Sequence, residues 1–294
     1  MAATGFHEGE LAAQRRAGVE TQALRLEGML GHASLSSGAA KFLAQQTFAV
    51  MTARDGEGLL WTSPLTAAAG FLQGRGDVLH VGSAFRDGDP LSGILAGQQV
   101  GMLAIDFATR RRMRINGVLA AADAAGLVVQ VDQAFGNCPQ YIHPRTVDVP
   151  ILEAAPTAGA RHETSLSEAD RVLITAADTF FLGTTHPTRG NDASHRGGPR
   201  GFVRVDSPDR LWWPDYPGNN MFNSFGNLAV DDEAAMLFVD FESGASLHVS
   251  GRAQVQWTNP DTDGADGAAR GVRFWVDSVV ALGTSAVKRA ERSS

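Results

Sequence analysis

Arginine, glycine and asparagine are grouped in this chain in a way that suits a bound anion. In the run Ser194-His195-Arg196-Gly197-Gly198, the planar guanidinium of Arg196 can donate two parallel hydrogen bonds to a phosphate or carboxylate. The paired glycines leave room for backbone N–H groups to approach an anion closely. Asn219, Asn220, Asn223 and Ser224 cluster at the start of a short predicted helix, where side-chain donors and the helix N-terminus favour the same negative charge. Arg110, Arg111, Arg112 and Arg114 form a second basic group, which suits either a solvated strand end or a ligand contact, and Asn137-Cys138-Pro139-Gln140-Tyr141 follows it. Cys138 is the single cysteine, so no intrachain disulfide is expected. His186, His195 and His248 lack close metal-ligand spacing, and no metal site is expected. No GxSxG, Walker or GxGxxG pattern is present, which leaves hydrolase and dinucleotide-fold readings without support.

These residues need elements to hold them, and the chain repeats itself. A first copy, residues 41–121, carries Thr47-Phe48, Trp61-Thr62-Ser63-Pro64, Gly70-Phe71, Leu79-His80-Val81, Met102-Leu103-Ala104-Ile105-Asp106-Phe107 and Gly117. A second, residues 172–255, answers in order with Thr179-Phe180, Ser194-His195-Arg196-Gly197, Gly201-Phe202, Leu211-Trp212-Trp213, Met236-Leu237-Phe238-Val239-Asp240-Phe241 and Gly251. Residues 48–52, 78–81, 100–107 and 113–119 are short apolar runs between Gly, Asp and Pro turns, which read as strands. Residues 90–97 and 220–228 read as a short helix at the same point of each copy. The fold expected is mainly β with short helices: two split β-barrel repeats in one chain, closed to protect their edges. Packed about a pseudo-twofold axis, they would leave a cleft between them. The predicted boundaries are an N-terminal helical extension at 1–40, repeats at 41–150 and 171–294, and a linker at 151–170. Within these, 154–159 is a flexible connection and 259–269 an exposed loop before a last strand at 272–280. Asp106 and Asp240 recur in both copies, which points to structure rather than catalysis.

Hydrophobic residues make up 44% of the 294 residues and charged residues 19%, with a mean hydropathy of −0.10. That composition fits an ordinary soluble protein. A net charge of −7 and a pI of about 5.6 argue against a nucleic-acid partner, which needs a basic face. The first 31 residues hold no apolar stretch long enough for a signal or membrane span. A cytoplasmic protein without a membrane partner is therefore expected.

The motifs in combination resemble a known family. Phe48-x-x-x-Thr52, Trp61-Thr62-Ser63-Pro64, Gly70-Phe71-Leu72, Arg111-Arg112-Met113-Arg114-Ile115-Asn116-Gly117 and Phe135-Gly136-Asn137-Cys138-Pro139-Gln140-Tyr141-Ile142 are joined by three further runs in the second copy. Those runs are Ser194-His195-Arg196-Gly197-Gly198-Pro199-x-Gly201-Phe202, Pro214-Asp215-Tyr216-x-Gly218-Asn219 and Gly226-Asn227-Leu228. Over residues 41–257 the chain resembles the FMN-binding split-barrel proteins related to pyridoxamine 5'-phosphate oxidase.

The resemblance implies FMN as cofactor, a dianionic phosphate joined to a ring that needs an apolar wall and hydrogen bonds at its pyrimidine edge. Ser194, His195, Arg196, Gly197 and Gly198 would lie along the flavin. Trp213 and Pro214 would wall its ring, and Asp215, Asn219, Asn220, Asn223 and Ser224 would take the phosphate. The last group carries asparagines where the family has lysine or arginine. Arg112 stands where the family has a flavin-contacting glutamine, and Asn137, Cys138 and Tyr141 would reach across from the first barrel to the second barrel's site. Ser246 matches Arg112 in the second copy, which removes the charge there and points to one flavin per chain. The implied function is an FMN-binding flavoprotein, an oxidoreductase acting on a small-molecule substrate with NADH or NADPH as candidate electron donor. A non-catalytic flavin carrier or sensor, and a split barrel using F420 or haem, stay open. Residues 275–294 lack the Arg-x-His of the pyridoxamine-phosphate oxidases, so that activity is not expected. No catalytic residue is assigned, and the chain is read as a pseudo-dimeric monomer or a homodimer.

Overall fold

A computed structural model describes residues 5–31, 33–123, 125–153, 159–257 and 270–283. The N-terminal segment forms helices α1 (Glu8–Ala17) and α2 (Glu20–Leu24) and a short 3-10 turn. Helix α3 (Ser37–Ala44) leads into strands β1 (Phe48–Arg54), β2 (Leu60–Thr66), β3 (Leu72–Arg75), β4 (Val78–Val81), β5 (Gln99–Asp106), β6 (Arg111–Asp123) and β7 (Gly126–Asn137). After α4 (Val149–Glu153) and β8 (Arg161–Glu163), helix α5 (Glu168–Ala176) opens the second half. Its strands are β9 (Thr179–His186), β10 (Gly190–Gly197), β11 (Arg204–Ser207), β12 (Arg210–Pro214), β13 (Glu233–Val239), β14 (Ser246–Trp257) and β15 (Arg270–Leu282), with α6 (Asn223–Val230) between β12 and β13. Residues 154–158 of the connection expected at 154–159, and the loop expected at 259–269, lie outside the described residues.

The two halves have one topology. The first sheet runs β2-β1-β5-β6-β7-β4-β3 and the second β10-β9-β13-β14-β15-β12-β11, all antiparallel, with β8 added to β15. Each paired path is open among the described residues, and its end strand is covered by the other half. Strand β10 lies on β5 and β6, and β2 lies on β13 and β14, which gives the pseudo-twofold relation. A serine at the N-cap starts both α3 and α5, its Oγ accepting from the third helical N–H (Ser36 from Ala39, Ser167 from Asp170). Asp106 and Asp240 each fold a hairpin turn by accepting from residues two or three further on, a structural role in both halves.

Strand pairing corrects two alignments of the repeat. Met51 pairs with Met102 and Ser63, while Leu182 pairs with Met236 and Ser194. Ser63 is therefore the counterpart of Ser194, two places from the sequence match, and Phe48 is the counterpart of Thr179 rather than Phe180. The expected helix at 90–97 is also absent. Ser92 N–H donates to Asp89 O and Ile94 N–H to Leu91 O, but Gly93 has φ +76°, a left-handed residue that stops the coil after one turn.

Among the described residues the two sheets build three apolar cores, and a fourth cluster of Phe6, Ala23, Leu30, Phe135 and Met221 seats the N-terminal segment. Met51, Trp61, Leu65 and Met102 fill the first sheet, and Phe180, Leu182, Trp213 and Phe274 the second. Phe48, Val50, Leu103, Phe181 and Leu237 meet between them, where burial of apolar surface at about 25 cal/mol per Å² joins the halves into one body. Helix α1 docks on α6 through two glycines. A Cβ at Gly9 would sit 2.2 Å from Gly226 O, and one at Gly226 2.6 Å from Glu10 N, so only hydrogen fits there. Among the described residues no helix is long and apolar enough to cross a membrane.

Candidate functional site

The pseudo-twofold packing creates a cleft into which β6 and the 137–141 segment project from the first half. From the second half, β10, residues 214–225 and the start of β15 project. Arg112 and Arg114 both belong to β6, spaced by two, so both point to the face that meets the second half. Arg114 is held firmly. Its Nη1 donates to both oxygens of Asp192 (2.9 and 3.1 Å) and to Asn223 Oδ1 (3.2 Å), and its Nη2 to Ser194 Oγ. Ser194 is itself joined to Ser224 Oγ at 2.8 Å. Across the cleft Arg270 Nε donates to Asp215 Oδ2 at 2.9 Å.

Arg112 and Arg196 are left over. No carboxylate lies within ion-pair distance of either among the described residues, and both Nε atoms are buried without a hydrogen-bond partner. Among the described residues Arg112 hydrogen-bonds only to His195, with Nη1 2.9 Å from the ring Nδ1 and 3.3 Å from the carbonyl. Arg196 reaches the same carbonyl at 3.3 Å. Burial first, then the neighbouring Arg114 and Arg196, push Arg112 down to about 9. Burial likewise lowers Arg196, against the attraction of Asp215. Helix α6 adds to this field. It starts at Phe222 without a side-chain cap, and Phe222, Asn223, Ser224 and Phe225 all line the cleft, so its free N–H groups face the same space. Two paired arginines balance two aspartates, and the two remaining cations match the charge of one dianion.

His195 is almost fully buried, edge-on to Phe107 and Phe181. Arginine only donates, so Nδ1 is the acceptor, and the neutral ring carries its proton on Nε2. Burial, then Arg112 and Arg196, hold its pKa well below the usual histidine value. The chain's only two tyrosines stack on each other, Tyr141 of the first half on Tyr216 of the second, with centroids 5.2 Å apart and planes at 24°. Glu10 reaches the site from behind. It accepts from His7 N–H (2.9 Å) and from the Asn223 amide, and burial pushes its carboxyl up to about 7.

Of the residues singled out by sequence, Arg112, Asn137, Cys138, Tyr141, His195, Arg196, Gly197, Pro214, Asp215, Asn219, Asn220, Asn223 and Ser224 line this one cleft. Ser194 sits one layer behind. Trp213 does not belong: it is fully buried in the second core, edge-on to Phe180 at 5.1 Å, and Phe202, Phe222 and Phe225 supply the apolar wall with Pro214. The glycine pair serves packing. A Cβ on Gly197 would lie 2.0 Å from Tyr141 O, and one on Gly198 2.6 Å from the Phe202 ring, while Gly198 N–H is already given to Asp178 O (3.1 Å). Asn219 spends its amide on Met221. Asp192, Tyr216, Arg270 and Glu10 were missed, and only Tyr216 lies in a motif read from sequence.

The equivalent place in the other half is filled. Pro64 and Leu65 of β2 stand where β10 has His195 and Arg196, and Ser246 and His248 of β14 stand where β6 has Arg112 and Arg114. His248 donates from Nδ1 to Thr62 O (3.0 Å) and lies 3.0 Å from Ser246 Oγ and 3.8 Å from Asp89, all buried. His7, Glu8 and His186 also approach one another within 4.8 Å. Both Nδ1 atoms accept backbone N–H groups, from Gly9 and from Thr188 and Arg189. Each neutral ring therefore carries its proton on Nε2 and offers no lone pair to a cation.

No family model matches the chain, and no curated protein matches it. Solved structures of the pyridoxamine 5'-phosphate oxidase, general stress protein 26 and flavin-binding split-barrel kind resemble it over about two-fifths of its length. A pyridoxamine 5'-phosphate oxidase-like protein from Lactobacillus delbrueckii shows 15% identity, covering 41% of this chain and 97% of that one, with a TM-score of 0.34. General stress protein 26 from Bacillus anthracis shows 10% identity over 40% and 94%, TM-score 0.30. An FAD-binding protein from Mycobacterium smegmatis shows 16% identity over 40% and 96%, TM-score 0.29. These likenesses assign neither ligand nor activity to this chain.

Proposed function

We propose that the cleft binds one flavin mononucleotide and that the chain is a flavin-dependent oxidoreductase of a small-molecule substrate. The observation that carries the reading is the pair Arg112 and Arg196, two half-buried arginines whose Nε atoms are buried and unpartnered and which have no carboxylate within ion-pair distance among the described residues. Unpaired buried charge is costly, and a phosphate dianion set between them and the uncapped start of α6 relieves that cost. The aromatic wall of Phe202, Phe222, Phe225 and Pro214 suits a flat ring. The space is about 110 Å³, where an engineered cavity of about 150 Å³ takes a benzene. One end of the mononucleotide would therefore be enclosed, with the rest along the open mouth.

The bound flavin would supply the electron or hydride transfer. The chain's part is to hold it by Arg112, Arg196 and Asn220 and to shield it with the Tyr141–Tyr216 pair. Neutral His195 anchors Arg112 through Nδ1 and its carbonyl, while its Nε2–H stays buried without a hydrogen-bond partner among the described residues. The test is the absorbance spectrum of the purified protein, mass identification of whatever heat releases, and titration with FMN. Arg196→Ala should weaken FMN by about 10- to 100-fold, the worth of a charge-assisted hydrogen bond. Unchanged affinity removes Arg196 from the site, and a colourless protein that binds no added FMN overturns the proposal. Reduction by NADH or NADPH and reoxidation separates an enzyme from a carrier, which is inert to both.

A further inference from the structure

A second cleft opens beside the first, on the outer side of β6, and shares Arg112 and Asn137 with it. It holds about 370 Å³ and is lined by Phe42, Thr109, Arg110, Arg111, Met113 and Pro139 besides those two. That volume lies within the range of small-ligand sites. Arg110, at the tip of the β5–β6 turn, has φ +55°, an uncommon conformation for a non-glycine residue. Arg111 lays its guanidinium over the Phe42 ring, 5.0 Å from the centroid, a cation–π geometry. Asp106 stands opposite Arg111 in the ladder, but its two oxygens accept from the Thr109 N–H and hydroxyl. None of Arg110, Arg111 and Arg112 forms an ion pair among the described residues. A protein of net charge −7 thus concentrates three uncompensated cations beside an apolar floor of Phe42, Met113 and Pro139, next to the flavin cleft.

We propose that this second cleft docks the other reactant, a planar aromatic molecule carrying carboxylate, sulfonate or phosphate charge. The aromatic body lies against Met113, Pro139 and the Arg111 guanidinium that covers Phe42, the acid group meets Arg110 and Arg111, and the shared wall at Arg112 and Asn137 sets it against the first cleft. The assignment of the partner as the other reactant rests on the flavin reading; the anion site itself does not.

The probe is 1-anilinonaphthalene-8-sulfonate, an aromatic sulfonate whose fluorescence rises on binding, titrated into the full chain with and without saturating FMN. One-to-one binding is expected, weakened at least tenfold in Arg110→Glu/Arg111→Glu. The uncharged analogue N-phenyl-1-naphthylamine should be unaffected by that change, and Arg25→Glu, an exposed charge reversal on α2's flank, should change neither. Circular dichroism and melting check the fold of the double variant, and Arg111→Gln serves if it does not fold. FMN affinity of the double variant should match the parent, because neither arginine lines the first cleft. Sulfonate binding that ignores both arginines overturns the proposal. Failure of FMN to bind the parent overturns the flavin reading instead, and the FMN-free titration still decides the anion site.

Discussion

Replacing Arg112 by methionine should make the flavin-free protein more stable and the flavin weaker. Burial, with Arg114 and Arg196 nearby, pushes Arg112 down from the ordinary arginine range to about 9. At 1.36 kcal/mol per unit, keeping it charged costs on the order of 5 kcal/mol. A base whose folded pKa is depressed carries that penalty in full below the folded value, and the penalty fades as pH rises above about 9 toward the ordinary arginine range. At pH 7.5 the whole penalty is present. Methionine keeps the apolar stem and removes the charge, while His195 Nδ1 and O lose a donor, which returns about 1 kcal/mol per bond. Buried ions replaced by apolar groups gain about 1–4 kcal/mol, so a net gain of about 1–3 kcal/mol is expected. In a chain of this size that raises Tm by roughly 2–5 °C. Losing one charge-assisted bond to phosphate should lower FMN affinity by about 10- to 100-fold. Thermal unfolding of flavin-free protein at pH 7.5, paired with FMN fluorescence titration, reads both signs. A lower Tm together with unchanged FMN affinity would refute the view of Arg112 as an unpaired cation held for a ligand.

Calorimetric titration with FMN should give one site per chain, because Pro64, Leu65, Ser246 and His248 occupy the equivalent place; two equal sites would show that place to be open. His248→Leu should destabilise by about 3 kcal/mol, since it strands the Asp89 carboxylate in the core, and adding Asp89→Leu should recover much of the loss in urea unfolding. Glu10 is raised from 4.5 to about 7. Its charge therefore opposes folding increasingly as pH climbs from 4.5 through 7, by up to about 3 kcal/mol. Glu10→Gln should flatten that part of the stability–pH curve, and identical curves for both proteins would place Glu10 in a more hydrated setting.

The site was legible in sequence where its residues are contiguous. Residues 137–141, 194–198 and 214–224 each read as a local motif, and the fold brings parts of all three to one cleft. Asp192, Arg270 and Glu10 come from a strand start, a distant strand and an N-terminal helix, and no local spacing ties them together. Trp212 and Trp213 had to face opposite ways, but which one enters the core is decided only by pairing of Trp213 with Val272. The two-residue slip between Ser63 and its counterpart was invisible because a shift of two leaves every side chain on its original face. Leu91, Ile94 and Leu95 have helical spacing, and the left-handed Gly93 between them overrides it. That the two halves share one topology, in contrast, followed from the repeat, because the same turns and apolar runs recur in the same sequence.

The matched topology of the halves changes what a single substitution does. In a symmetric homodimer each mutation is written into both copies of a shared site, so a change that improves one wall spoils or duplicates itself at the other. Here the two pseudo-equivalent places draw on separate codons: Arg112 and Arg114 on one side, Ser246 and His248 on the other. One place was free to become a solid, histidine-centred joint while its twin kept an open cleft with spare positive charge. Covalent linkage of the halves thus lets one interface divide its labour between cohesion and recognition.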